Sequence, residues 1–428
     1  MGDLLYEVCA SSIATARSFS NIKSSGYWDQ ADTPEAKIHR IHSYPAKFPA
    51  FLTKKALSLA RSEGIEVQKI ADVFCGCGTV AQEAASEGIE FWGCDINPVA
   101  TLIAKTKSSS FDPKRLRRYA NQIESAFKSA SENDHFSAAV RERLLCWYAP
   151  SQYVELVKLL NAIQSEVPER SKYRLAFFCA FSAILKKTSL WRARSTKPLK
   201  DPTKQVAGVM KSFNQQCEQM AQAWEESPSK PGFKAEIFNS NVLEICPPKE
   251  LVDLIVTSPP YVVSYEYADL HQLSSLWLGY AEDHRILRKG SIGSSSHTID
   301  LRKEFRHLNK AATQIVFSLY AENPVLAKAV ANYYLNMQDV AKRCMTFLAP
   351  KGMAFFVIGD TEYGGVKVNN SAHFAEALFD AGFQRVRVAK RAISNKANTP
   401  FRGDRGRFSN SPSIATIYSE EFILVAER

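Results

Sequence analysis

The chain has 428 residues, of which 45% are hydrophobic and 23% are charged, and its formal net charge is +10. These values indicate a globular protein with one large domain or two, and the positive charge suits a polyanionic partner without identifying one. The nine cysteines are odd in number and form no CxxC pair, which argues against a zinc site or a disulfide framework and favours a reducing, intracellular setting. The longest apolar runs are too short to span a membrane, and the start of the chain does not resemble a signal peptide.

A proline-containing segment, residues 38–49, precedes a helix that we predict over residues 50–61. Pro45 and Pro49 hold the segment extended, and Pro49 stands just before the start of the helix. The spacing of the prolines alone is compatible with a structural segment that covers the core and with part of a ligand site. His39 and His42 are expected to be structural or solvent-facing, since no other residues at metal-ligand spacing accompany them.

A glycine-rich turn is predicted between a short apolar strand that ends at Phe74 and a helix that begins near Thr79. Gly76 and Gly78 permit tight turning and a close approach of the backbone to a ligand. The N–H groups at the start of the helix can face polar parts of that ligand. A Gly-x-Gly pair by itself is also compatible with an ordinary strand-to-helix turn.

An acidic residue, Asp95, ends the next predicted strand, 17 residues after Gly78. A carboxylate at the tip of the second strand can accept two hydrogen bonds from a ribose diol. We therefore predict that Asp95 is a ribose ligand, with Ile96 or Pro98 beside the adenine. An N-cap role for Asp95 is compatible with this function.

Residues 108–232 interrupt the alternation of strands and helices, and their apolar spacing predicts mostly helices. Because about 30 residues are enough for a β–α–β connection, this region is a large insertion. Within it, residues 186–200 are strongly basic and contain no acidic residue. This composition fits contacts to phosphates as well as a solvated loop. The candidate contact residues are Lys186, Lys187, Arg192, Arg194 and Lys197.

Residues 253–261, Asp-Leu-Ile-Val-Thr-Ser-Pro-Pro-Tyr, combine the end of a buried strand with a stiff loop. Two consecutive prolines fix φ twice and remove two N–H donors, so the loop presents carbonyl acceptors. Open α/β sheets bind their ligands at the carboxyl ends of strands, where this loop lies. Ser258 and the Pro259 carbonyl can accept the N–H groups of an exocyclic amine, while Tyr261 can stack on its ring. A Pro-Pro turn by itself is also compatible with an ordinary loop, so Ser258, Pro259, Pro260 and Tyr261 are candidates for a catalytic site.

The carboxyl-terminal part contains further predicted strands at residues 352–359, 383–388 and 422–426. A Gly/Ser turn at residues 290–296 is expected to be a mobile loop over the substrate side. A second basic stretch, residues 390–408, is predicted as a loop between the last two strands. Its candidates for phosphate contacts are Lys390, Arg391, Lys396, Arg402, Arg405 and Arg407.

Two of these motifs resemble those of the amino-methyltransferases of DNA, which transfer a methyl group from S-adenosylmethionine to N4 of cytosine or N6 of adenine. Residues 254–261 are similar to the catalytic motif of that family. Residues 72–79, with the pattern Asp-x-Phe-x-Gly-x-Gly-Thr, are similar to the family's cofactor loop. The resemblance covers roughly residues 38–107 and 234–428. It implies an α/β fold, a Rossmann-like methyltransferase sheet with helices on both faces, interrupted by a large, mainly helical insertion.

The resemblance also implies a set of cofactor contacts. Residues 44–49, Tyr-Pro-Ala-Lys-Phe-Pro, resemble the family's segment beside the methionine end of the cofactor. The glycine loop resembles the part of the family's site that surrounds the methionine moiety. Asn241 matches the position that meets the adenine amine, although a shift of two residues would put Asn239 there. The residues expected to bind S-adenosylmethionine are Tyr44, Pro45, Lys47, Phe48, Asp72, Phe74, Gly76, Gly78, Thr79, Asp95, Ile96, Asn241 and Val242.

We expect three parts in the chain. Residues 1–107 contain an N-terminal segment and the cofactor-binding half of the methyltransferase domain. Residues 108–232 form the insertion, which is a candidate region for DNA recognition. Residues 233–428 form the catalytic half of the methyltransferase domain. Many family members with a Ser-Pro-Pro motif have the two motifs in the reverse order. The family's assignments of target recognition therefore do not carry over to this chain.

The implied activity is site-specific methylation of cytosine N4 in double-stranded DNA, since Ser at the first motif position is commoner among N4-cytosine enzymes. The target base must be flipped out of the duplex, and the methyl group moves directly, without a covalent enzyme intermediate. Adenine N6, structured RNA and a catalytically silent DNA-binding subunit remain alternatives. The implied setting is the cytoplasm of a prokaryote or a virus-infected cell, at the nucleoid, in restriction–modification or epigenetic marking. A cognate restriction endonuclease is a compatible partner.

Overall fold

An eight-stranded mixed sheet is the centre of the structure, a computed structural model. The structure describes residues 5–9, 19, 21–29, 31, 34–45, 47–192, 195, 198–227, 230, 232–262, 266–294, 299–393, 401–402, 408–409 and 420–428. The strands are β1 (Tyr6–Val8), β2 (Lys69–Asp72), β3 (Glu90–Asp95), β4 (Ala235–Asn239), β5 (Val252–Thr257), β6 (Leu348–Ile358), β7 (Thr361–Tyr363), β8 (Val366–Val368), β9 (Arg385–Ala392), β10 (Phe401–Arg402), β11 (Phe408–Ser409) and β12 (Glu420–Glu427). β7 with β8 and β10 with β11 form two separate small hairpins.

The helices lie between these strands. They are α1 (Gly26–Asp29), α2 (Ala50–Ser62), α3 (Thr79–Glu87), α4 (Pro98–Ser108), α5 (Pro113–Phe127), α6 (Ala138–Leu145), α7 (Pro150–Glu166), α8 (Lys172–Leu185), α9 (Val209–Glu226), α10 (Tyr267–Leu270), α11 (Gln272–Trp277), α12 (Leu301–Glu304), α13 (Lys310–Glu322), α14 (Pro324–Phe347) and α15 (Asn370–Asp380). Short 3-10 helices cover Lys37–Arg40, His284–Arg288 and Phe305–His307.

The strand order in the sheet is β1-β9-β12-β6-β5-β2-β3-β4. The strands from β4 to β6 pair in parallel, whereas β12 is antiparallel to both of its neighbours, β6 and β9. The seven strands from β4 to β9 have the order and directions of a Rossmann-like methyltransferase sheet, to which β1 adds an antiparallel edge. The chain therefore has the α/β fold that its sequence predicts.

Helices cover both faces of the sheet, because the side chains of each central strand alternate between two apolar layers. In β6, Met353, Phe355 and Val357 join the core under α2 and α3. Ala354, Phe356 and Ile358 of the same strand join the core under α13, α14 and α15. This alternation makes β6 apolar throughout its buried part, as expected of a strand that is covered on both faces.

The five helices from α5 to α9 form the insertion between β3 and β4. Their buried side chains form one core with α4 and with α11, a helix that lies after the predicted catalytic loop. Trp277 of α11 is 1% exposed, and the rings of Phe136, Tyr148 and Phe181 surround it at centroid distances of 5.4–5.7 Å. The apolar run that follows the catalytic motif thus supplies core side chains that join the insertion to the sheet domain.

Most predicted elements are present with small differences in length. The predicted helix over residues 50–61 is α2, and the predicted last strand, residues 422–426, is part of β12. One prediction is wrong in its placement: Lys390 and Arg391 lie within β9, paired with Phe422 and Glu421 of β12, rather than in a loop. Among the described residues, no helix has both the length and the hydropathy needed to cross a membrane.

Candidate functional site

The two sequence motifs meet where the strand order reverses, between the neighbouring strands β2 and β5. The chain continues from β2 to β3 and β4 on one side and then returns to place β5 on the other side. This kind of switch point opens a crevice at the carboxyl ends of the strands. The carboxylate of Asp72 links the motifs: its Oδ1 accepts the Thr257 hydroxyl at 2.6 Å and the Phe74 N–H at 3.1 Å. The residue that follows Thr257 is Ser258, so one side chain joins the glycine loop to the catalytic loop.

Two glycines shape the loop after β2. Gly78 is the left-handed N-cap of α3 at φ +75°, and an added Cβ would lie 2.5 Å from the Cα of Ala104 in α4. Gly76, at φ +47°, faces the ring of Tyr44, which would be 3.6 Å from an added Cβ. Gly78 thus permits the close packing of α3 on α4, and Gly76 leaves backbone surface open beneath an aromatic ring. Thr79, the first residue of α3, is buried.

Asp95 lies at the end of β3 and holds the glycine loop. Its Oδ2 accepts the Gly76 N–H at 2.9 Å, and its Oδ1 accepts the Asn97 N–H at 2.8 Å. Burial raises the pKa of Asp95 to about 6, while both of these N–H groups act to lower it. Each carboxylate oxygen keeps a second lone pair for a further donor. Asp95 therefore combines a structural role with free acceptor capacity at the site.

Tyr44, from the segment predicted to lie beside the cofactor, lies over this loop. The Tyr44 ring stacks on His271 at 5.1 Å and on Tyr267 at 6.3 Å. Lys47 donates to Glu35 at 2.6 Å, and Phe48 packs against the core under α2 and α3. Among the predicted contacts of this segment, Tyr44 is thus the side chain that faces the glycine loop. Pro45 is half-buried.

The two histidines of the preceding segment are buried, as expected of structural residues. His39 Nε2 is 2.7 Å from Glu83 Oε1 of α3, and His42 Nε2 is 2.9 Å from Ser182 Oγ of α8. Burial lowers the pKa of His42 to about 4, so its imidazole is neutral at physiological pH. Both contacts tie the Tyr44 segment to neighbouring helices.

A loop that sequence reasoning placed on the substrate side lies beside the predicted adenine contacts. Asn241 Nδ2 donates to the Gly290 carbonyl at 3.3 Å, and an added Cβ on Gly290 would lie 3.2 Å from Ile96 Cδ1. Asn239 instead donates to the backbone carbonyls of Asp95 and Ile96. Of the two alternatives for the adenine contact, Asn241 is the one beside Ile96 and Gly290. The Val242 side chain is 2% exposed and belongs to the core.

The loop that the sequence predicts to be catalytic, residues 258–261, follows β5 and is held by β6 and β12. Ser258 Oγ donates to the Val357 carbonyl of β6 at 3.0 Å, and the Tyr261 hydroxyl donates to Glu421 Oε1 of β12 at 2.6 Å. Pro259 is buried and Pro260 is half-buried. Because the Ser258 hydroxyl gives its proton to a backbone carbonyl, its oxygen is oriented as an acceptor. This arrangement suits a substrate that brings N–H donors.

The described part of the first basic stretch follows α8. Trp191 pairs with Lys200 and stacks on Trp147 at 5.1 Å, and the Lys204 ammonium donates to the backbone carbonyls of Lys186, Ser189 and Trp191 at 2.7–2.8 Å. Lys186 is exposed, Lys187 is half-buried, and both have a pKa lowered by burial. The Arg192 side chain is 60% exposed, 4.0 Å from Asp201. Arg194 and Lys197 lie outside the described residues.

The second basic stretch is only partly described. Lys390 pairs with Glu420 at 2.6 Å, and Arg391 is 3.4 Å from Glu421, with both cationic side chains largely buried in the sheet. Neither is therefore an exposed loop cation, because each lies in β9 and pairs with a glutamate of β12: Arg391 with Glu421 directly opposite, and Lys390 with Glu420, which is two positions from its register partner Phe422. Arg402 lies in β10, and Lys396, Arg405 and Arg407 lie outside the described residues. Across the part of the chain that the structure describes, no group of three His, Cys, Asp or Glu side chains is placed to hold a metal ion.

Burial raises the pKa of Asp72 to about 7, although Thr257 and the Phe74 N–H act to lower it. The folded state therefore binds a proton that the unfolded chain releases near pH 4, so the contribution of Asp72 to stability is full below pH 4 and is lost as pH rises to 7. Asp72→Asn should remove this dependence, on the order of 2–4 kcal/mol in the free energy of unfolding. Urea unfolding at a series of pH values from 4 to 8 measures the free energy of unfolding of both proteins.

Asp360→Asn is the matched control, because burial raises the pKa of Asp360 only to about 6. The difference in the free energy of unfolding between Asp360→Asn and the wild type should change from pH 4 to pH 6 and stay constant above pH 6. Parallel stability profiles for wild type and Asp72→Asn over pH 4 to 7 would contradict the assignment.

Comparisons with known proteins find similarity to methyltransferases. The chain is 23% identical over 395 residues to the Type II methyltransferase M.MvaI of Kocuria varians, with 84% of each chain covered. Among solved structures it matches the rRNA methyltransferase aviRa of Streptomyces viridochromogenes at 9% identity and TM-score 0.29, over 90% of this chain and 88% of that one. A SAM-dependent methyltransferase of Methanosarcina mazei matches at 10% identity and TM-score 0.27, over 90% of this chain and 98% of that one. These TM-scores are too low to establish a shared fold, so the fold assignment depends on the strand order. No protein-family model matches the chain.

Proposed function

We propose that the chain is an S-adenosylmethionine-dependent methyltransferase that acts on N4 of cytosine in double-stranded DNA. The observation that carries this proposal is the Asp72–Thr257 hydrogen bond, which brings a glycine loop suited to the cofactor against a loop suited to an amine. The similarity to a Type II methyltransferase over 84% of the chain supports the same reaction class.

The residues around the glycine loop fit the cofactor. Asp95 has lone pairs for a ribose diol, Ile96 and Asn241 offer an apolar surface and an amide for adenine, and the Tyr44 ring lies above Gly76. The cofactor supplies an electrophilic methyl group when bound. The chain contributes a preformed cradle, since Gly76, Asp95 and Asn97 already hold one another by hydrogen bonds.

The catalytic loop would orient the target amine. Ser258, whose proton is directed to Val357, and the Pro259 carbonyl accept the two amine hydrogens, and Tyr261 offers its ring to the flipped base. With both hydrogens held, the nitrogen lone pair would point toward the methyl donor, and proximity would supply much of the rate enhancement. As the N–C bond formed, the S–C bond of the donor would break, and the nitrogen would then release one of its protons to solvent. Such a reaction would serve restriction–modification or epigenetic marking of DNA, with or without a cognate endonuclease.

Mass spectrometry of nucleosides tests the proposal. Duplex DNA that contains most short sites is incubated with the protein and S-adenosylmethionine, and N4-methylcytosine is expected. N6-methyladenine in its place would keep the mechanism and correct the base. Methylation of structured RNA alone would overturn DNA as the substrate. Failure to bind the cofactor at all would favour a silent DNA-binding subunit.

The basic stretch after α8, residues 186–200, is the proposed site of phosphate contacts. If Arg192 contacts one phosphate, Arg192→Ala should weaken binding to all duplex sequences and reduce the slope of log affinity against log salt by about 1. Fluorescence anisotropy with labelled duplex DNA at several salt concentrations measures the slope.

Lys234→Ala is the control, because Lys234 is an exposed cation that precedes β4, at the amino ends of the parallel strands and so opposite the site. Its slope should equal that of the wild type. Equal slopes for both variants would remove Arg192 from the interface.

A further inference from the structure

A buried carboxylate from the last strand contacts the catalytic loop. Glu421 lies in β12, is 6% exposed, and accepts the Tyr261 hydroxyl at 2.6 Å. The two residues are 160 positions apart in the chain, so this contact exists only because β6 brings the β5 loop beside β12. We infer that Glu421, held in place by Arg391, is a positioning residue that fixes the ring of Tyr261 for the target base. This inference rests on the proposed function.

Two contacts limit the orientations open to the Tyr261 ring. The hydroxyl is anchored at Glu421, and the Cε2–Cζ side of the ring lies beside Gly359 at the end of β6. A Cβ added to Gly359 would be 2.9 Å from Tyr261 Cε2, so only glycine leaves room for the ring there. A ring held at its hydroxyl and packed beside Gly359 has little rotational freedom left to lose when a base stacks on it.

Arg391 explains why an acid can occupy this position. Glu421 and Arg391 are directly opposite each other in the β12–β9 pairing, with Arg391 Nη1 3.4 Å from Glu421 Oε2. Arg391 is 5% exposed, and its guanidinium lies 5.4 Å from the centre of the Phe51 ring. A buried carboxylate needs such a cation, because an unpaired one would be strongly destabilising. The pair therefore presents one carboxylate oxygen to Arg391 and the other to Tyr261.

The protonation of Tyr261 fits this role. Burial and the neighbouring charge of Glu421 raise the pKa of Tyr261 well above its usual value, so the phenol keeps its proton and donates it. A cross-strand ion pair that served only to stabilise the sheet would not require the phenol. Here the Glu421 carboxylate lies closer to the phenol than to its guanidinium partner, at 2.6 Å against 3.4 Å.

A double-mutant cycle tests whether Glu421 acts through the Tyr261 hydroxyl. In the full-length protein, Tyr261→Phe removes the hydroxyl and keeps the ring, and Glu421→Gln keeps the size and an acceptor oxygen. We expect Glu421→Ala to lower kcat for methylation about tenfold, with the KM for S-adenosylmethionine unchanged, and Glu421→Gln to recover most of the loss. In the Tyr261→Phe background, Glu421→Ala should lower kcat no further. Losses that multiply in the double variant would overturn the inference.

A second measurement does not depend on methylation. In protein labelled with 13C-tyrosine, the ring resonance of Tyr261 is identified by its loss in Tyr261→Phe. We expect that resonance to shift and to show faster ring rotation in Glu421→Ala, and less so in Glu421→Gln. An unchanged Tyr261 resonance in both variants would refute positioning even if the protein methylates DNA. A shifted resonance in a protein that methylates no nucleic acid would instead refute the proposed function and leave the contact established.

Discussion

Ser258→Ala is expected to lower the rate constant for methyl transfer about 10²–10³-fold, while the affinity for S-adenosylmethionine stays within about twofold. The Ser258 hydroxyl gives its proton to the Val357 carbonyl, which leaves its oxygen to hold the target amine. Alanine removes that acceptor at the point where positive charge develops on the nitrogen. Single-turnover kinetics with labelled cofactor separates the chemical step from binding.

Ser62→Ala provides the matched control for this prediction. Ser62 Oγ also donates to a backbone carbonyl, that of Leu59 at 2.8 Å, but it lies at the end of α2 and outside the site. Both variants lose one serine hydroxyl that donates to the backbone. The difference between their rate constants for methyl transfer therefore reports the role of the Ser258 oxygen as an acceptor. A Ser258→Ala protein with more than a third of the wild-type rate would exclude Ser258 from catalysis.

Gly78→Ala should destabilise the protein by about 2–4 kcal/mol, since it combines a left-handed backbone with a steric overlap. The new methyl group would lie 2.5 Å from the Cα of Ala104, and α4 would have to move away from α3. That shift would also displace Asn97 and Asp95 before α4, so we expect weaker cofactor binding as well. Urea unfolding gives the free energy, and calorimetric titration gives the affinity.

Gly64→Ala distinguishes the two causes. Gly64 has nearly the same backbone conformation, φ +80°, but no other atom lies within 4 Å of an added Cβ. Its substitution should therefore cost only about 1 kcal/mol. Equal losses of stability in Gly64→Ala and Gly78→Ala would show that backbone strain alone explains the effect and that the α3–α4 contact contributes nothing.

The contrast between the two basic stretches shows where sequence reasoning about charge succeeds and fails. The stretch at residues 186–200 contains no acid, and Arg192 within it is exposed. Lys390 and Arg391 have an equally basic neighbourhood in the sequence, yet each faces a glutamate of β12. Those acids are about thirty positions further along the chain, and only strand pairing reveals them.

The sequence by itself determined the strands, the helix starts and the two loops of the site, because these depend on local physical chemistry. Apolar runs bounded by turn residues predict buried strands, and Gly76, Gly78 and the two prolines restrict or free the backbone wherever they occur. Only the tertiary structure decided which side chains meet: Asp72 with Thr257, Gly290 with Ile96, and Glu421 with Tyr261. Strand order and register set these contacts. Both depend on the burial of the whole sheet, and every strand and every covering helix contributes to that burial.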